Sequence, residues 1–474
     1  MWVAGKATEG DEALEVHSPY DGSLVGTTSY ATDAQLEQAV AAAHDVSAEA
    51  AALPMHVRAE ALTAISAAIK ERSDEITELV CAENGKPMLW ARAEVGRAVS
   101  VFRWAAEEAR RWSGEVIRLD ADAAAEGRLA YVRRQPKGPV LAISPFNFPL
   151  NLAAHKVAPA IAVGAPVLLK PAPKTPLSGL LLGELAAATD LPPGMVSVLN
   201  VPDDKASALV ADERLPVVSF TGSGLVGYKI AETVPRKHVT LELGGNAAVV
   251  VCADYDSDVD LDWAATRIAN FANYQAGQSC ISVQRVYAAA AVYQSLRDRV
   301  VAKVEGLKIG DPRKEDTFVG PMINSEAAER VERWVDEAVQ AGATVLTGGR
   351  RDGSSYAPTV LVDVPREAKV SSEEAFGPVL VLEQVSSAEE AFAAVNSSKY
   401  GLQAGLFTHD IQIAFRAHRE LEVGGLIVGD APSYRADQMP YGGAKESGVG
   451  REGIRYAMAD YTYERVMVLT GLDL

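Results

Sequence analysis

From Asp33 to about Trp112 apolar residues recur three and four positions apart in an alanine-rich background: Leu36, Val40 and Ala43, then Leu62, Ile65 and Ile69, then Ile76, Leu79 and Val80. This spacing lays an apolar stripe along each helix and predicts a helical N-terminal region, with Pro54 and Pro87 at starts where a missing N–H costs nothing. The segment GRLAYVRRQPKGP, residues 127–139, alternates with a period of two and ends in the turn residues Gln135-Pro136-Lys137-Gly138, which predicts a hairpin arm. Short continuous apolar runs follow at Val140 to Ile143, Pro166 to Leu169, Met195 to Leu199, Val217 to Phe220, Val239 to Leu243 and Ala247 to Val251, separated by helical stretches. Runs of that length and texture are what a parallel sheet covered on both faces requires, so the chain reads as α/β. A second series, near Ser282 to Tyr287, Thr344 to Leu346, Thr359 to Val362, Val379 to Glu383, Ala404 to Phe407 and Gly425 to Val428, predicts a second α/β domain. The β-branched and aromatic stretch Tyr461 to Gly471 could pair with the arm or with another subunit.

Composition narrows the partners. The 474 residues allow two or three domains, and 45 Lys and Arg against 63 Asp and Glu leave a net charge of −18, unsuited to a polyanion such as nucleic acid. Cys81, Cys252 and Cys280 form neither a CxxC pair nor an even framework, which fits a reducing cytoplasm. The N-terminal stretch lacks a secretory pattern, and the most apolar window, Leu241 to Cys252, is short and broken by Glu242, Gly244, Gly245 and Asn246, so no membrane span is expected. The seven histidines show no metal-binding spacing.

Four places carry candidate chemistry. Gly222-Ser223-Gly224-Leu225-Val226-Gly227 follows a strand and precedes a helix expected from about Tyr228, and Glu242 lies 20 residues beyond Gly222, where a ribose-binding acid belongs. A plain tight turn would look the same. Cys280, in Gln275 to Ser282, sits in a loop after a helix, where backbone N–H donors can hold a thiolate; a structural cysteine is the other reading. Asn147, fixed between two prolines and two aromatics in Ser144 to Leu150, can donate to an oxyanion or simply close an Asx turn. Lys170 ends a strand at the edge where open α/β sheets bind ligands, or is a solvated lysine.

Together these pieces resemble the aldehyde dehydrogenase superfamily over nearly the whole chain: SPFNFP with Asn147, LLKPAPKTP with Lys170, SFTGSGLVG, LELGGNAAVV with Glu242, AGQSCISVQR with Cys280, EEAFGPV with Glu374 and Phe376, and MPYGGAKESGVGRE. Each motif is weak alone; seven in this order are highly specific. The resemblance implies a Rossmann-like cofactor domain (1–122 and 140–245, with 446–459 returning to it), an α/β catalytic domain (246–445) and a small β oligomerisation arm (123–139 and 460–474). It moves Glu242 from ribose acid to general base. Cys280 would attack the aldehyde carbon, Asn147 and the Cys280 N–H would hold the oxyanion, and hydride loss to the nicotinamide would leave a thioester that Glu242 hydrolyses through water.

The dinucleotide would lie along Ser144, Pro145, Phe146, Lys170, Pro173, Gly222, Ser223, Gly227 and Leu243, with Glu374 on the nicotinamide ribose and Phe376 packed beside it. Pro173 stands where the family usually has a ribose-binding glutamate, and Lys174 follows, so NAD and NADP both stay open, with NADP use more plausible than the family average. Phe148, Leu152, His155, Tyr274, Ser279, Ile281 and Tyr441 would line the aldehyde tunnel. Arg111 and Arg435 are candidate anchors for an anionic aldehyde, or surface ion-pair residues; lactaldehyde, glyceraldehyde 3-phosphate and succinate semialdehyde are the expected substrate types. The arm and tail imply a homodimer or homotetramer. A coenzyme A-acylating enzyme is the alternative, disfavoured by Glu242.

Overall fold

The computed structural model describes residues 1–473; Leu474, the last residue of the expected arm, lies outside them. Two large sheets organise the chain. In the first, five parallel strands run in the order Val196–Val198, Val167–Lys170, Val140–Ile143, Val217–Thr221, His238–Glu242, with Trp2–Val3 and Lys6–Ala7 antiparallel at one edge and Gly448–Val449 at the other. The strand order reverses direction between Val140–Ile143 and Val217–Thr221, and the crevice beyond the carboxyl ends at such a switch point is where open α/β sheets take ligands. In the second sheet Thr359–Val362, Val379–Val385, Arg285–Ala289, Ala248–Val251, Gln403–Phe407 and Gly425–Val428 are parallel neighbours, and Thr344–Thr347 is antiparallel at the edge.

The helical N-terminal region is four helices, Asp33–Ala52, Met55–Glu71, Ser73–Asn84 and Met88–Arg111. Thr32 and Gln35 close a reciprocal capping box on the first, while Pro54 and Pro87 take the N-cap positions of the second and fourth. Helix Asn151–Val163 is buried at every residue, wedged beneath the first sheet with Val157, Ile161 and Val163 in the same core as Phe102 and Val140. This explains an apolar run without a polar face.

The arm differs from its expectation. Residues 135–138 do not close a hairpin; Arg128–Pro136 is one long strand leading towards the first sheet, flanked by Glu115–Arg118 on one side and Thr462–Thr470 on the other. Glu115–Arg118 pairs antiparallel with Arg128–Pro136 in this third sheet. Nine consecutive register pairs, Thr462 with Pro136 through Thr470 with Arg128, tie the tail to the arm. No helix among the described residues is long and apolar enough to cross a membrane.

Candidate active site

The loops that follow the carboxyl ends of the first sheet meet the loops that precede the amino ends of the second. Ser144, Lys170, Gly222 and Glu242 come from the first set; Gly245, Cys280 and Glu374 come from the second. Cys280 sits in the walls of two cavities, one of about 420 Å³ and one of about 230 Å³.

The turn after Val140–Ile143 is braced from behind. Lys86 and Glu94 form a fully buried ion pair; Lys86 Nζ also donates to the Asn147 carbonyl at 2.8 Å and lies 3.9 Å from the centre of the Phe148 ring. Glu94 accepts the backbone N–H groups of Leu150 and Asn151 at 3.0 and 3.1 Å, capping the buried helix. Asn84 Nδ2 donates to the Phe146 carbonyl at 2.6 Å. So held, the Asn147 side-chain amide donates to the carbonyl of Gln278 at 3.0 Å, two residues before the cysteine, and its second N–H remains to be used. Neither Lys86 nor Glu94 was singled out from sequence; the only signal is a lysine set between Gly85 and Pro87.

The cysteine loop is unusual backbone. Gln275 and Ala276 adopt left-handed φ of 54° and 51°, and Gly277 follows at 70°, where a Cβ would lie 2.0 Å from the carbonyl of Gly377. Non-glycine residues in that region cost of order 1 kcal/mol each, held only by over-determined surroundings. The glycine pair after Glu242 has a matching cause: a Cβ on Gly245 would stand 2.4 Å from the Cys280 carbonyl oxygen, and one on Gly244 2.6 Å from Glu374 Oε2.

Burial pushes the Cys280 thiol up to about 12; the Tyr441 hydroxyl, 3.1 Å from Sγ, works against this, and Glu374 and Glu242 add to it. Burial thus opposes the thiolate expected from the loop's backbone N–H groups, and among the described residues the one hydrogen bond found at the sulfur is with the Tyr441 hydroxyl. Burial, reinforced by Glu452, also raises the Glu242 carboxyl well above its ordinary value, and neither of its oxygens has a partner among the described residues. A raised, unpartnered carboxylate is a stronger base, and Glu242 shares the wall of the larger cavity with Cys280, whose thiol its charge pushes up. Burial pushes Glu374 up to about 7 against the N–H of Gly245, which donates to it at 2.9 Å.

The larger cavity gathers most of the expected cofactor residues: Ser144, Pro145 and Phe146 on one wall, Lys170 and Pro173 on another, and Gly222, Ser223 and Leu243 along the switch point. Glu374 and Phe376 complete it, Phe376 at φ 46° standing edge-on to Phe146 with centroids 5.8 Å apart. Gly227 is not in the wall; a Cβ there would be 2.4 Å from Leu243 Cδ2, so it lets the helix approach that strand. That helix starts at Gly224, earlier than expected, with Ser223 as N-cap and no side-chain bond to it, leaving N–H groups free towards the cavity. Lys170 Nζ pairs with exposed Asp203 at 3.1 Å. The cleft, the free helix start and the buried carboxylate near Cys280 fit an extended dinucleotide.

The smaller cavity is walled by Trp90, Phe148, Leu152, Phe271, Tyr274 and Tyr441, floored by Ser279, Cys280 and Ile281, and edged by three guanidinium groups, Arg97, Arg267 and Arg435. Each is neutralised from outside: Arg97 by Asp437 at 2.9 Å, Arg267 by both oxygens of Asp430 at 2.5 and 2.8 Å, Arg435 by Glu452 at 3.1 Å. Glu452 also takes Lys156 Nζ at 2.9 Å. Arg435, only 4% exposed, is no surface residue.

Two expected substrate residues are elsewhere. Arg111 ends the helix Met88–Arg111 with its side chain 62% exposed and paired to Glu108. Its place in the cavity is taken by Arg97, 14 residues earlier on nearly the same face and about 21 Å back along the axis at 1.5 Å per residue. His155 is fully buried, outside both walls, with Nε2 3.3 Å from Asp437 Oδ1, and burial pulls it down to about 4. It backs the carboxylate that holds Arg97. Among the described residues no three His, Cys, Asp or Glu side chains come together to hold a metal ion.

A family model described as the aldehyde dehydrogenase family matches residues 2–467. The chain is 41% identical to the 3-sulfolactaldehyde dehydrogenase of Priestia aryabhattai, over 99% of this chain and 97% of that protein. Its structure superposes with a TM-score of 0.97 on aldehyde dehydrogenase 21 from Physcomitrella patens in complex with the reaction product succinate, at 43% identity, covering 100% of this chain and 98% of the other. It superposes with a TM-score of 0.92 on the glyceraldehyde-3-phosphate dehydrogenase of Methanocaldococcus jannaschii complexed with NADP, at 34% identity, covering 97% and 100%.

Proposed function

As a member of the aldehyde dehydrogenase family the chain is an NAD(P)-dependent enzyme, and we propose that it oxidises a small anionic or hydroxylated aldehyde to its carboxylic acid through a covalent bond to Cys280. The observation that carries this reading is the position of Cys280 in both cavities, one suited to a dinucleotide and the other edged by Arg97, Arg267 and Arg435.

The chemistry that the dinucleotide supplies when bound is acceptance of a hydride. The chain's residues do the rest. Glu242 receives the thiol proton, the Cys280 sulfur adds to the aldehyde carbon, and the Asn147 amide with the Cys280 N–H holds the oxygen as it becomes negative. After oxidation Glu242, once it has released the thiol proton to solvent, takes a proton from water, which attacks the thioester, expels the Cys280 sulfur as thiolate and frees the acid. An anionic tail lies among the guanidinium groups, whose forks suit a sulfonate, carboxylate or phosphate equally. The relatives' names point the same way, one to 3-sulfolactaldehyde, one to succinate as product and one to glyceraldehyde 3-phosphate. Both cofactors remain in play, Pro173 favouring tolerance of a 2′-phosphate.

Three free thiols support a reducing cytoplasm. The tail strand leaves Val466, Met467 and Val468 more than half exposed on an open sheet edge, which supports a dimer or tetramer; a light-scattering mass of a single 50.2 kDa chain would contradict it.

The test is reduced-nicotinamide formation with neutral, hydroxylated, carboxylated, sulfonated and phosphorylated aldehydes, each with NAD and NADP. Turnover should favour the anionic or hydroxylated members, vanish in Cys280→Ala, and in Glu242→Ala form the thioester more slowly and stop at one equivalent of reduced nicotinamide. Equal rates with plain alkyl aldehydes would refute the substrate class, and a requirement for coenzyme A would establish the acylating alternative.

A further inference from the structure

Tyr441 Oη stands 3.1 Å from Cys280 Sγ at the buried floor of the aldehyde cavity, a closer relation than lining a wall demands. Two contacts, both running through Glu452, hold the residue there. Its backbone exchanges a pair of hydrogen bonds with Glu452, Tyr441 N–H to the Glu452 carbonyl at 3.0 Å and Glu452 N–H to the Tyr441 carbonyl at 2.7 Å. Over its ring, 3.8 Å from the centroid, lies the Arg435 guanidinium, itself fixed by the Glu452 carboxylate. The hydroxyl cannot leave the sulfur without disturbing a buried ion pair.

We propose that Tyr441 is a further catalytic residue, whose hydroxyl donates a hydrogen bond to the Cys280 sulfur and stabilises the thiolate from which the aldehyde is attacked. The inference rests on the reading of Cys280 as nucleophile. The charged groups that face this sulfur are the Glu242 and Glu374 carboxyls, which oppose a second negative charge, and Arg435, which favours it, with Glu452 behind Arg435. Against two carboxyls and full burial, a hydrogen bond given directly to the anion is the local means of lowering its cost. The direction of donation follows from the chemistry of the pair: a thiolate has no proton to give, so across this 3.1 Å contact only the phenol can donate, and burial with the neighbouring thiol keeps the phenol protonated well past its ordinary range. A phenylalanine would fill the same wall and stack under the same guanidinium, so only the hydroxyl distinguishes the two.

The experiment is the pH profile of Cys280 alkylation by iodoacetamide in the full-length protein, with the labelled peptide identified by mass, in the wild type, in Tyr441→Phe and with a fluorotyrosine at 441. Loss of a hydrogen bond to a charged group moves the profile up by about one to two pH units, a fall of about ten- to a hundredfold in rate near neutrality. The fluorotyrosine, a stronger donor of nearly the same shape, moves it down, and this arm decides the matter if the phenylalanine variant folds poorly. Superimposable profiles with the label on Cys280 would overturn the role of Tyr441 alone. Retention of aldehyde oxidation by Cys280→Ser would instead overturn the nucleophile on which the inference rests.

Discussion

Lys86 Nζ donates to the backbone carbonyl of Asn147 across 2.8 Å while its charge is balanced by the fully buried carboxylate of Glu94. Lys86→Met strands that carboxylate, which typically costs about 3–5 kcal/mol. The double variant Lys86→Met, Glu94→Gln should be more stable than Lys86→Met, and thermal unfolding of the singles and the double checks it. Both should lose turnover, because the turn that aims Asn147 loses its brace.

Gly245→Ala and Gly244→Ala should separate by what each methyl meets. At 245 it meets the backbone of Cys280 itself, at 244 the movable end of the Glu374 side chain. A displacement near 1 Å at reacting atoms costs about a hundredfold. Steady-state kinetics should show a loss of about that size in kcat for Gly245→Ala and a smaller loss, with a raised KM for the cofactor, for Gly244→Ala.

Arg97→Ala should lower kcat/KM for anionic aldehydes by about ten- to a hundredfold, the value of a hydrogen bond to a charged group, and leave neutral aldehydes nearly unchanged. Arg111→Ala should change neither. Equal effects of the two substitutions would contradict the placement of the anion.

Pro173→Glu puts a carboxylate beside Lys170 in the wall of the larger cavity. Repulsion of the 2′-phosphate, worth at least about 1.4 kcal/mol at short range in a partly buried site, should shift the ratio of kcat/KM for NAD over NADP upward by about tenfold or more. An unchanged ratio would place the adenosine ribose elsewhere.

His155 should make the protein sensitive to mild acid. Its folded pKa is depressed to about 4 from an ordinary 6.5, chiefly by burial and then by Arg435, so below 6.5 the unfolded chain binds a proton that the folded chain refuses. Stability attributable to His155 is therefore complete above about pH 6.5 and declines as pH falls towards 4, by up to about 3 kcal/mol. Glu83 and Glu374, both raised by burial to about 7, act in the opposite sense, since the folded state keeps protons that the unfolded state releases above about 4.5. The His155 contribution is isolated by comparing the wild type with His155→Gln by chemical denaturation across this range; parallel curves would refute it.

The parallel strands of both large sheets could be placed from sequence because a strand buried on both faces writes itself as a local apolar run, as Val140–Ile143 and Val217–Thr221 do, whereas the short antiparallel edges Trp2–Val3, Lys6–Ala7 and Gly448–Val449 could not. The motif order pointed to Cys280, Glu242, Asn147, Lys170 and Glu374 as one site, and the cleft between the sheets does bring them together, since each lies at a strand end whose place the topology sets. Sequence failed where the deciding quantity was distance along or across an element. Arg97 and Arg111 share a helix and nearly a face, and only the axial rise separates the cavity wall from the surface. His155 follows Leu152 by three positions on a wholly buried helix, yet one faces the cavity and the other the carboxylate of Asp437. Arg267, and the brace of Lys86 and Glu94, carry no motif at all, because their roles arise from contacts between segments far apart in the chain. The protonation states were out of reach for the same reason. What sequence determined by itself was local, the period of its apolar residues and the identity of its strand-end side chains; what tertiary structure alone decided was which charges are desolvated together, because burial depends on everything packed around a group and not on its neighbours in the chain.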